Sequence, residues 1–398
     1  MNPSEAIELH SMALEKVSNY ERRRFLFDEL LEPRSKHQVG ILGPRGAGKT
    51  VMLLQLASAT ENAIYLSLDT VDPDADVFDL VRTLAETYGY RSFFLDEVHY
   101  HPGIEATLKK IYDFLQVRLI FTSSMAISLH RSAQDLSRRV RLVSLYPFSY
   151  RESHAFRHGE LLPRLSLRDI IERRWHANHL RATHGFDEYM RGGLMPFSLE
   201  EPDVLPLLEN ILETIISRDV PKVARLRLDE LELMRKMVQF IGRAGIDGIS
   251  YTSLARHLSI TKYKAKQYVD LLEMAFVLQR IFPAGTNVLR EPKLLLCLPY
   301  RLLYREWAEA LGGLREDVCV QALRQAEVPV HYLKSTRGKK TPDYLIEFDE
   351  ETLVVEVGGR GKGREQFKGV TPDRKLIMTH SDRTDGIYRP LPLLGYLV

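Results

Sequence analysis

Residues 43–50 read Gly-Pro-Arg-Gly-Ala-Gly-Lys-Thr, set between an apolar run, Val39-Gly40-Ile41-Leu42, and a helical stretch, Val51 to Ala57. This G-x-x-x-x-G-K-[ST] spacing constrains the fold strongly, because it requires a buried strand that ends in a tight turn and hands over to a helix N-terminus. Gly43, Gly46 and Gly48 permit the turns. The loop Gly43, Pro44, Arg45, Gly46, Ala47 and Gly48 can then aim its amides inward and cradle the phosphates of a nucleotide. Lys49 is placed to reach the β- and γ-phosphates, and Thr50 to set its hydroxyl on Mg²⁺. The motif predicts a protein driven by ATP or GTP.

The first half of the chain alternates short apolar runs with helical stretches. Strands are expected at His37–Leu42, Ala63–Leu68, Ser92–Asp96, Val117–Thr122 and Val140–Leu145. Helices are expected at Val51–Ala59, Val77–Tyr88, Ile104–Leu115 and Ala126–Asp135. Such alternation implies an α/β domain with a parallel sheet covered on both faces. The run Phe93-Phe94-Leu95-Asp96-Glu97 ends a buried strand in two carboxylates, a costly arrangement unless they act. Asp96 is expected to hold the Mg²⁺ shell, and Glu97 to orient and deprotonate the attacking water. The strand Ala63–Leu68, between loop and acidic motif, is the addition expected in ATPases with a catalytic glutamate.

Two further features surround this pattern. Thr122-Ser123-Ser124 ends an apolar strand and places hydroxyls between the loop and the acidic strand, so Ser123 or Thr122 is a candidate sensor of hydrolysis. Ser137-Arg138-Arg139-Val140-Arg141 offers Arg139 or Arg138 as a guanidinium that a neighbouring subunit inserts against the γ-phosphate. A solvated basic face accounts for the same arginines.

Together these stretches resemble a family of bacterial and archaeal AAA-type ATPases that carry a C-terminal domain of unknown function. The likeness runs through Ile41–Thr50, Phe93–Val98, Thr122–Ser124, Ser137–Glu152, Arg191-Gly192-Gly193-Leu194-Met195-Pro196, Glu291-Pro292-Lys293 and an acidic patch near the C-terminus. It implies a nucleotide site at Gly43–Thr50, Asp96 and Glu97, with the arginine before Val140 as the finger.

In the middle, Ser250–Leu258 and Ile260–Leu272 read as a helix, a tight turn and a second helix that Thr261 can cap. Lys262, Lys264, Lys266 and Gln267 project from the start of the second helix, where a recognition helix meets DNA. Phe276-Val277-Leu278 and Ile281-Phe282-Pro283 are the expected wing strands. The same winged helix with a solvated basic face serves protein contacts. Lysines give phosphate affinity without a base code.

The last stretch resembles the PD-(D/E)xK nuclease core. Glu316 lies on an expected helix, Asp343 follows Thr341-Pro342, and Glu356 sits in Leu353-Val354-Val355-Glu356-Val357-Gly358. In that fold such carboxylates hold a metal, and a lysine two residues after the second strand carboxylate assists water. Here that position is Gly358. Lys362 and Lys368, from the glycine- and arginine-rich segment that follows, are the nearest substitutes. Gly358 argues against efficient cutting, and the glycine- and arginine-rich segment fits either nucleic-acid backbone contact without cutting or a partner interface.

The expected domains are 1–160 (ATPase), 161–240 (helical), 241–290 (winged helix) and 291–398 (nuclease-like). Net charge is only +2, so any nucleic-acid binding must come from a local patch. Two lone cysteines, Cys297 and Cys319, exclude a C-x-x-C zinc site and fit a reducing cytoplasm. No signal peptide and no run long enough to span a membrane is visible. Three functions fit: a ring-forming, hexameric AAA+ ATPase that translocates, unwinds or remodels DNA; a nucleotide-gated signalling or defence switch that binds protein; and an ATP-regulated nuclease.

Overall fold

The computed structural model describes residues 1–32, 36–125, 138–245, 249–285, 291–333, 341–359, 367 and 374–398. The expected helix Ala126–Asp135, and Lys362 and Lys368, lie outside them. The chain forms two compact units. One is Met1–Pro147 with Ser217–Arg225, the other Phe148–Ile216 with Leu226–Val398.

In the first unit, β1 (Gln38–Leu42), β2 (Ala63–Ser67), β3 (Ser92–Asp96), β4 (Arg118–Ser123) and β5 (Val140–Ser144) form an all-parallel sheet in the order β2-β3-β4-β1-β5. The strands lie within a residue of their expected places because each is a short, doubly covered apolar run. Helices Lys49–Ser58, Val77–Glu86 and Ile104–Phe114 fill the connections. Asp76 caps the second of these by accepting from the Asp79 amide. Ile41, Met52, Leu56, Phe94 and Ile120 meet in one core. The added strand β2 is an edge strand beside β3. The strand between the loop strand β1 and the acidic strand β3 is β4, so the carboxyl ends of these three share one rim.

The second unit joins segments expected to be separate. Tyr150, Ile170, Phe186 and Met190 share a core with Leu314, Val355, Leu394 and Tyr396. The Tyr150 ring meets those of Phe186, Tyr189 and Tyr396 edge-on at 5.1–5.7 Å. Residues 161–240, 241–290 and 291–398 therefore contribute mainly to one packed body rather than to three.

Within it, helices Leu228–Arg243, Tyr251–Leu258 and Lys262–Met274 precede an antiparallel pair, β6 (Leu278–Ile281) and β7 (Lys293–Leu296). Thr261 caps the third helix by accepting from the Lys264 amide. The hairpin differs from the expected wing. Phe276 takes φ 59° and closes the helix, its amide and that of Val277 bonding to Glu273 and Leu272, so the strand starts only at Leu278. Pro283, which lacks an amide proton, lies outside the hairpin ladder. Helix Trp307–Gln325 then packs on a mixed sheet of β8 (Val330–Tyr332), β9 (Tyr344–Phe348), β10 (Glu351–Gly358), β11 (Arg374–Thr379) and β12 (Tyr388–Pro390), ordered β12-β11-β10-β9-β8. Among the described residues, no helix is long and apolar enough to cross a membrane.

Candidate functional site

The loop after β1 folds as its glycines dictate. Gly46 and Gly48 take φ 78° and 83°, the left-handed region where a Cβ is strained. Gly43 is needed for proximity, since a Cβ there would lie 2.1 Å from the Leu145 carbonyl oxygen. The buried guanidinium of Arg24 clasps the loop from outside its motif, donating to Ala47 O at 2.5 Å and Tyr146 O at 2.9 Å.

Lys49 opens the following helix and is buried. Its Nζ donates to Gly43 O at 3.0 Å, Pro44 O at 3.1 Å and Ser124 Oγ at 2.7 Å. Burial holds the ammonium below its ordinary range, against the pull of Glu97 and Asp96. Thr50 Oγ1 donates to Asp96 Oδ2 at 2.7 Å, and the Tyr65 hydroxyl reaches the same oxygen at 2.9 Å. Thr122 Oγ1 donates to Asp96 Oδ1. Burial, and then the neighbouring Glu97, push the Asp96 carboxyl up. The Thr50 hydroxyl and Asp96 carboxylate form a hard, all-oxygen donor set that suits Mg²⁺.

Glu97 stands in the left-handed region at φ 49°, an uncommon place for a non-glycine residue. Its amide donates to Thr122 Oγ1 at 2.9 Å. Ser124 Oγ lies 2.7 Å from Glu97 Oε1 and 3.0 Å from Oε2, and the Ser124 amide 3.2 Å from Oε2. Burial would raise the Glu97 carboxyl, yet Lys49, His99 and the Ser124 bond together hold it below its ordinary value. The glycine loop, Lys49, the Thr50–Asp96 pair and Glu97 thus converge on the carboxyl ends of β1, β3 and β4, where parallel sheets bind ligands.

Residues 35–154 match the model of a family described as "AAA domain". The first unit carries an AAA-type P-loop domain. Residues 183–297 match a second family, described as "Domain of unknown function (DUF8612)", and that match ends before the C-terminal mixed sheet. Along its length the chain is similar to the uncharacterized protein MJ1637 of Methanocaldococcus jannaschii, 26% identical over 432 residues, covering 96% of this chain and 90% of that one. Among solved structures it is similar to AMPPCP-bound DnaA from Aquifex aeolicus (14% identity, TM-score 0.27, 62% of this chain and 86% of that one). A RuvB variant from Thermotoga maritima matches at 18% identity and TM-score 0.28, over 70% of this chain and 89% of that one.

Around the AAA-type site, the sensor position differs from expectation. Ser123 turns back on its own strand end, donating to Met125 O at 2.7 Å, and Thr122 serves Asp96. Ser124 is the hydroxyl between Lys49 and Glu97. Side chains alternate along a strand, so Thr122 and Ser124 share the face that Ser123 leaves. Arg139, in the turn just before β5, forms a fork-to-fork pair with Asp113 at 2.8 and 3.0 Å. Arg138 is exposed beside it.

Sequence reasoning placed Arg45 in the loop but missed its partners. Arg45, inside the loop, grips Asp219 with Nε at 2.5 Å and Nη2 at 2.8 Å, and the Tyr100 hydroxyl donates to the same carboxylate at 2.9 Å. Asp219 is fully buried. Burial alone would raise its carboxyl, but Arg45 and His99 hold it far below the ordinary range. Burial, then Asp219, push the Tyr100 phenol up to about 12.

In the second unit the lysines of helix Lys262–Met274 are partly committed. Lys262 pairs with Glu291, and Lys264 Nζ lies 2.5 Å from Glu230 Oε1. Lys266 is exposed. The Lys264 bond, foremost, holds the Glu230 carboxyl down at about 2.

Glu316, Asp343 and Glu356 also come near one another. Glu316 lies on helix Trp307–Gln325, Glu356 on β10, and Asp343 just before β9, accepting from the Val357 amide at 2.8 Å. Burial, then Glu316 and Glu356, push the Asp343 carboxyl up to about 7. A lysine stands here, and it is Lys293 of β7, paired with Glu316 and 5.3 Å from the Tyr344 ring centre. Its signal was the Glu-Pro-Lys stretch already noted for the family likeness. The Tyr344 hydroxyl donates to Glu316 at 2.5 Å. Among the described residues, no group of three or more His, Cys, Asp and Glu side chains is arranged to hold a metal ion.

Proposed function

We propose that this protein is an ATP-hydrolysing AAA+ motor that works on DNA as a ring of identical subunits, a hexamer. The observation that carries the reading is the joined set Thr50–Asp96 and Lys49–Ser124–Glu97 at the rim of β1, β3 and β4. Lys49 exchanges its neutral oxygen partners for the β- and γ-phosphates. Thr50 and Asp96 hold Mg²⁺, which when bound neutralises charge on the phosphate oxygens. Glu97 orients the attacking water and takes its proton. Ser124 touches both Lys49 and Glu97, so departure of the γ-phosphate is felt at the glutamate through one hydroxyl. Arg139 of a neighbouring subunit leaves Asp113 and stabilises the charge on the transferred group.

The three helices and the β6–β7 hairpin act as a winged helix, with Lys266 the leading phosphate contact and Lys262 and Lys264 behind it. The pairing of those two lysines with Glu291 and Glu230 favours a second reading, a nucleotide-gated switch whose winged helix binds protein. A regulated nuclease is the third, with Lys293 taking the role that Gly358 lacks. ATP turnover measured alone and with single-stranded, duplex, forked and four-way DNA separates the first two. Stimulation supports the motor, and a rate indifferent to every DNA supports the switch. Because Lys293 is already bound to Glu316, incubation with DNA in Mg²⁺ or Mn²⁺ is expected to give no efficient cleavage. Cutting that Glu356→Ala abolishes would establish the nuclease instead.

A further inference from the structure

The rate at which Glu97 activates water depends on where its carboxylate is turned. Ser124 Oγ straddles both carboxylate oxygens, at 2.7 and 3.0 Å, so that hydroxyl alone fixes the rotation poorly. The Ser124 amide, 3.2 Å from Oε2, and His99 on the same side break the symmetry. The His99 ring is fully buried, with Nδ1 3.2 Å from Glu97 Oε2, and Lys49 lies on the Oε1 side at 3.9 Å. The other ring nitrogen, Nε2, faces Asp219 Oδ1 at 3.9 Å. Asp219 is itself fixed by the fork of Arg45 and by the Tyr100 hydroxyl. Arg45, Asp219, His99 and Glu97 therefore lie side by side, with the imidazole between two carboxylates and neither of its nitrogens hydrogen-bonded. The one distant member of this group, Asp219, lies on Ser217–Arg225, a short stretch that belongs to the first unit although the residues before and after it belong to the second.

We propose that His99 and Asp219 are positioning residues for ATP hydrolysis: Asp219 fixes the imidazole, and the imidazole holds the Glu97 carboxylate in the orientation that receives the water proton. The segment 217–225 thereby completes the hydrolytic site. A movement that drew Asp219 away would leave nucleotide bound and slow its cleavage. This inference rests on the hydrolytic reading of Lys49 and Glu97.

The test measures kcat and KM for ATP, and the Kd of a fluorescent ATP analogue, in native protein, His99→Ala, His99→Asn, Asp219→Asn and the double variant His99→Ala/Asp219→Asn. A misplaced reacting group costs about 10²-fold. His99→Ala is expected to lose about that in kcat, with KM and Kd unchanged. His99→Asn, whose amide can stand near the Nδ1 position, recovers part of the loss. Asp219→Asn lowers kcat by less, and the double variant is no slower than His99→Ala, because residues that act as a unit are not additive. A purely structural role would move the unfolding midpoint and Kd together. Should His99→Ala fail to fold, His99→Asn and Asp219→Asn carry the same kcat-against-Kd comparison. Native-rate turnover in these variants, losses confined to nucleotide affinity, or fully additive losses would overturn the proposal. Absence of ATP turnover in the native protein would overturn the hydrolytic reading and this inference with it, whereas unaffected variants of a turning-over protein overturn the inference alone.

Discussion

Each unit sets a lysine among carboxylates, Lys49 buried and Lys293 partly buried, and the two are used in opposite ways. Lys49 gives its ammonium to two carbonyls and a hydroxyl and stays 3.9 Å from Glu97. Lys293 pairs directly with Glu316, a carboxylate that Tyr344 also holds. A cation kept on neutral oxygens retains its charge for an incoming phosphate. A cation matched to a carboxylate has already been neutralised, and its removal is felt by the fold. Hydroxyls divide the two sites in the same way: Thr50, Tyr65, Thr122 and Ser124 share out the oxygens of Asp96 and Glu97. At the second site, burial and like charge leave Asp343 with a proton up to about pH 7.

Replacing each lysine in turn breaks the comparison most sharply. Lys49→Ala is expected to weaken nucleotide binding by at least about 100-fold, since a charge-assisted bond is worth about 1.5–3 kcal/mol and two phosphates are contacted. Its stability should change little, because the cost of burying the ammonium and its attraction to Glu97 oppose each other. Lys293→Ala should do the reverse, binding nucleotide normally while losing about 3 kcal/mol of stability, the usual consequence of breaking a buried pair. Isothermal binding and denaturant titration on both variants read the two effects. A Lys293→Ala protein of native stability would mean that the second lysine is also held in reserve.

The pH dependence of stability sharpens the carboxylate side of the contrast. The raised Asp343 value means that between about pH 4 and about pH 7 the folded chain keeps a proton that the unfolded chain has released. This group's contribution therefore falls as pH rises through that window and is level above it. Asp343→Asn should flatten that part of the urea-midpoint profile. An unchanged slope would place the titration elsewhere.

The smallest expected effect concerns the lysines of helix Lys262–Met274. Replacing Lys262, Lys264 and Lys266 together by Ala should weaken DNA binding and lower its salt slope by about 1 for each phosphate that is no longer neutralised. Lys266→Ala alone should account for more of this than Lys264→Ala, which already has Glu230 as partner. Equal contributions from the two would show that the Glu230 pair opens on binding.

Local pattern carried the first unit well. Five short apolar runs gave five strands, and Gly43–Thr50, Asp96 and Glu97 fell where strand ends must converge. What escaped has no local signature. Arg24 and Asp219 reach the loop from 23 and 174 residues away in sequence, and only the fold brings them there. The choice of Ser124 over Ser123 turned on strand parity, which was readable from Thr122 onward once β4 was given an end. Lys293 escaped because it precedes Glu316, Asp343 and Glu356 in the sequence, whereas the expected lysine follows the second strand carboxylate. The division expected at 160, 240 and 290 failed to foresee a shared core, because apolar periodicity in residues 150–204 says which face is buried and not what buries it.

In the proposed mechanism Glu97, held by Ser124 and His99, activates water on a nucleotide gripped by Lys49. Single-turnover ATP hydrolysis by Glu97→Gln tests it most directly, with nucleotide affinity measured on the same sample. Native affinity with turnover reduced by about 10²–10⁴-fold, the usual worth of a positioned general base, is the expected result. Hydrolysis by Glu97→Gln at the native rate would contradict it.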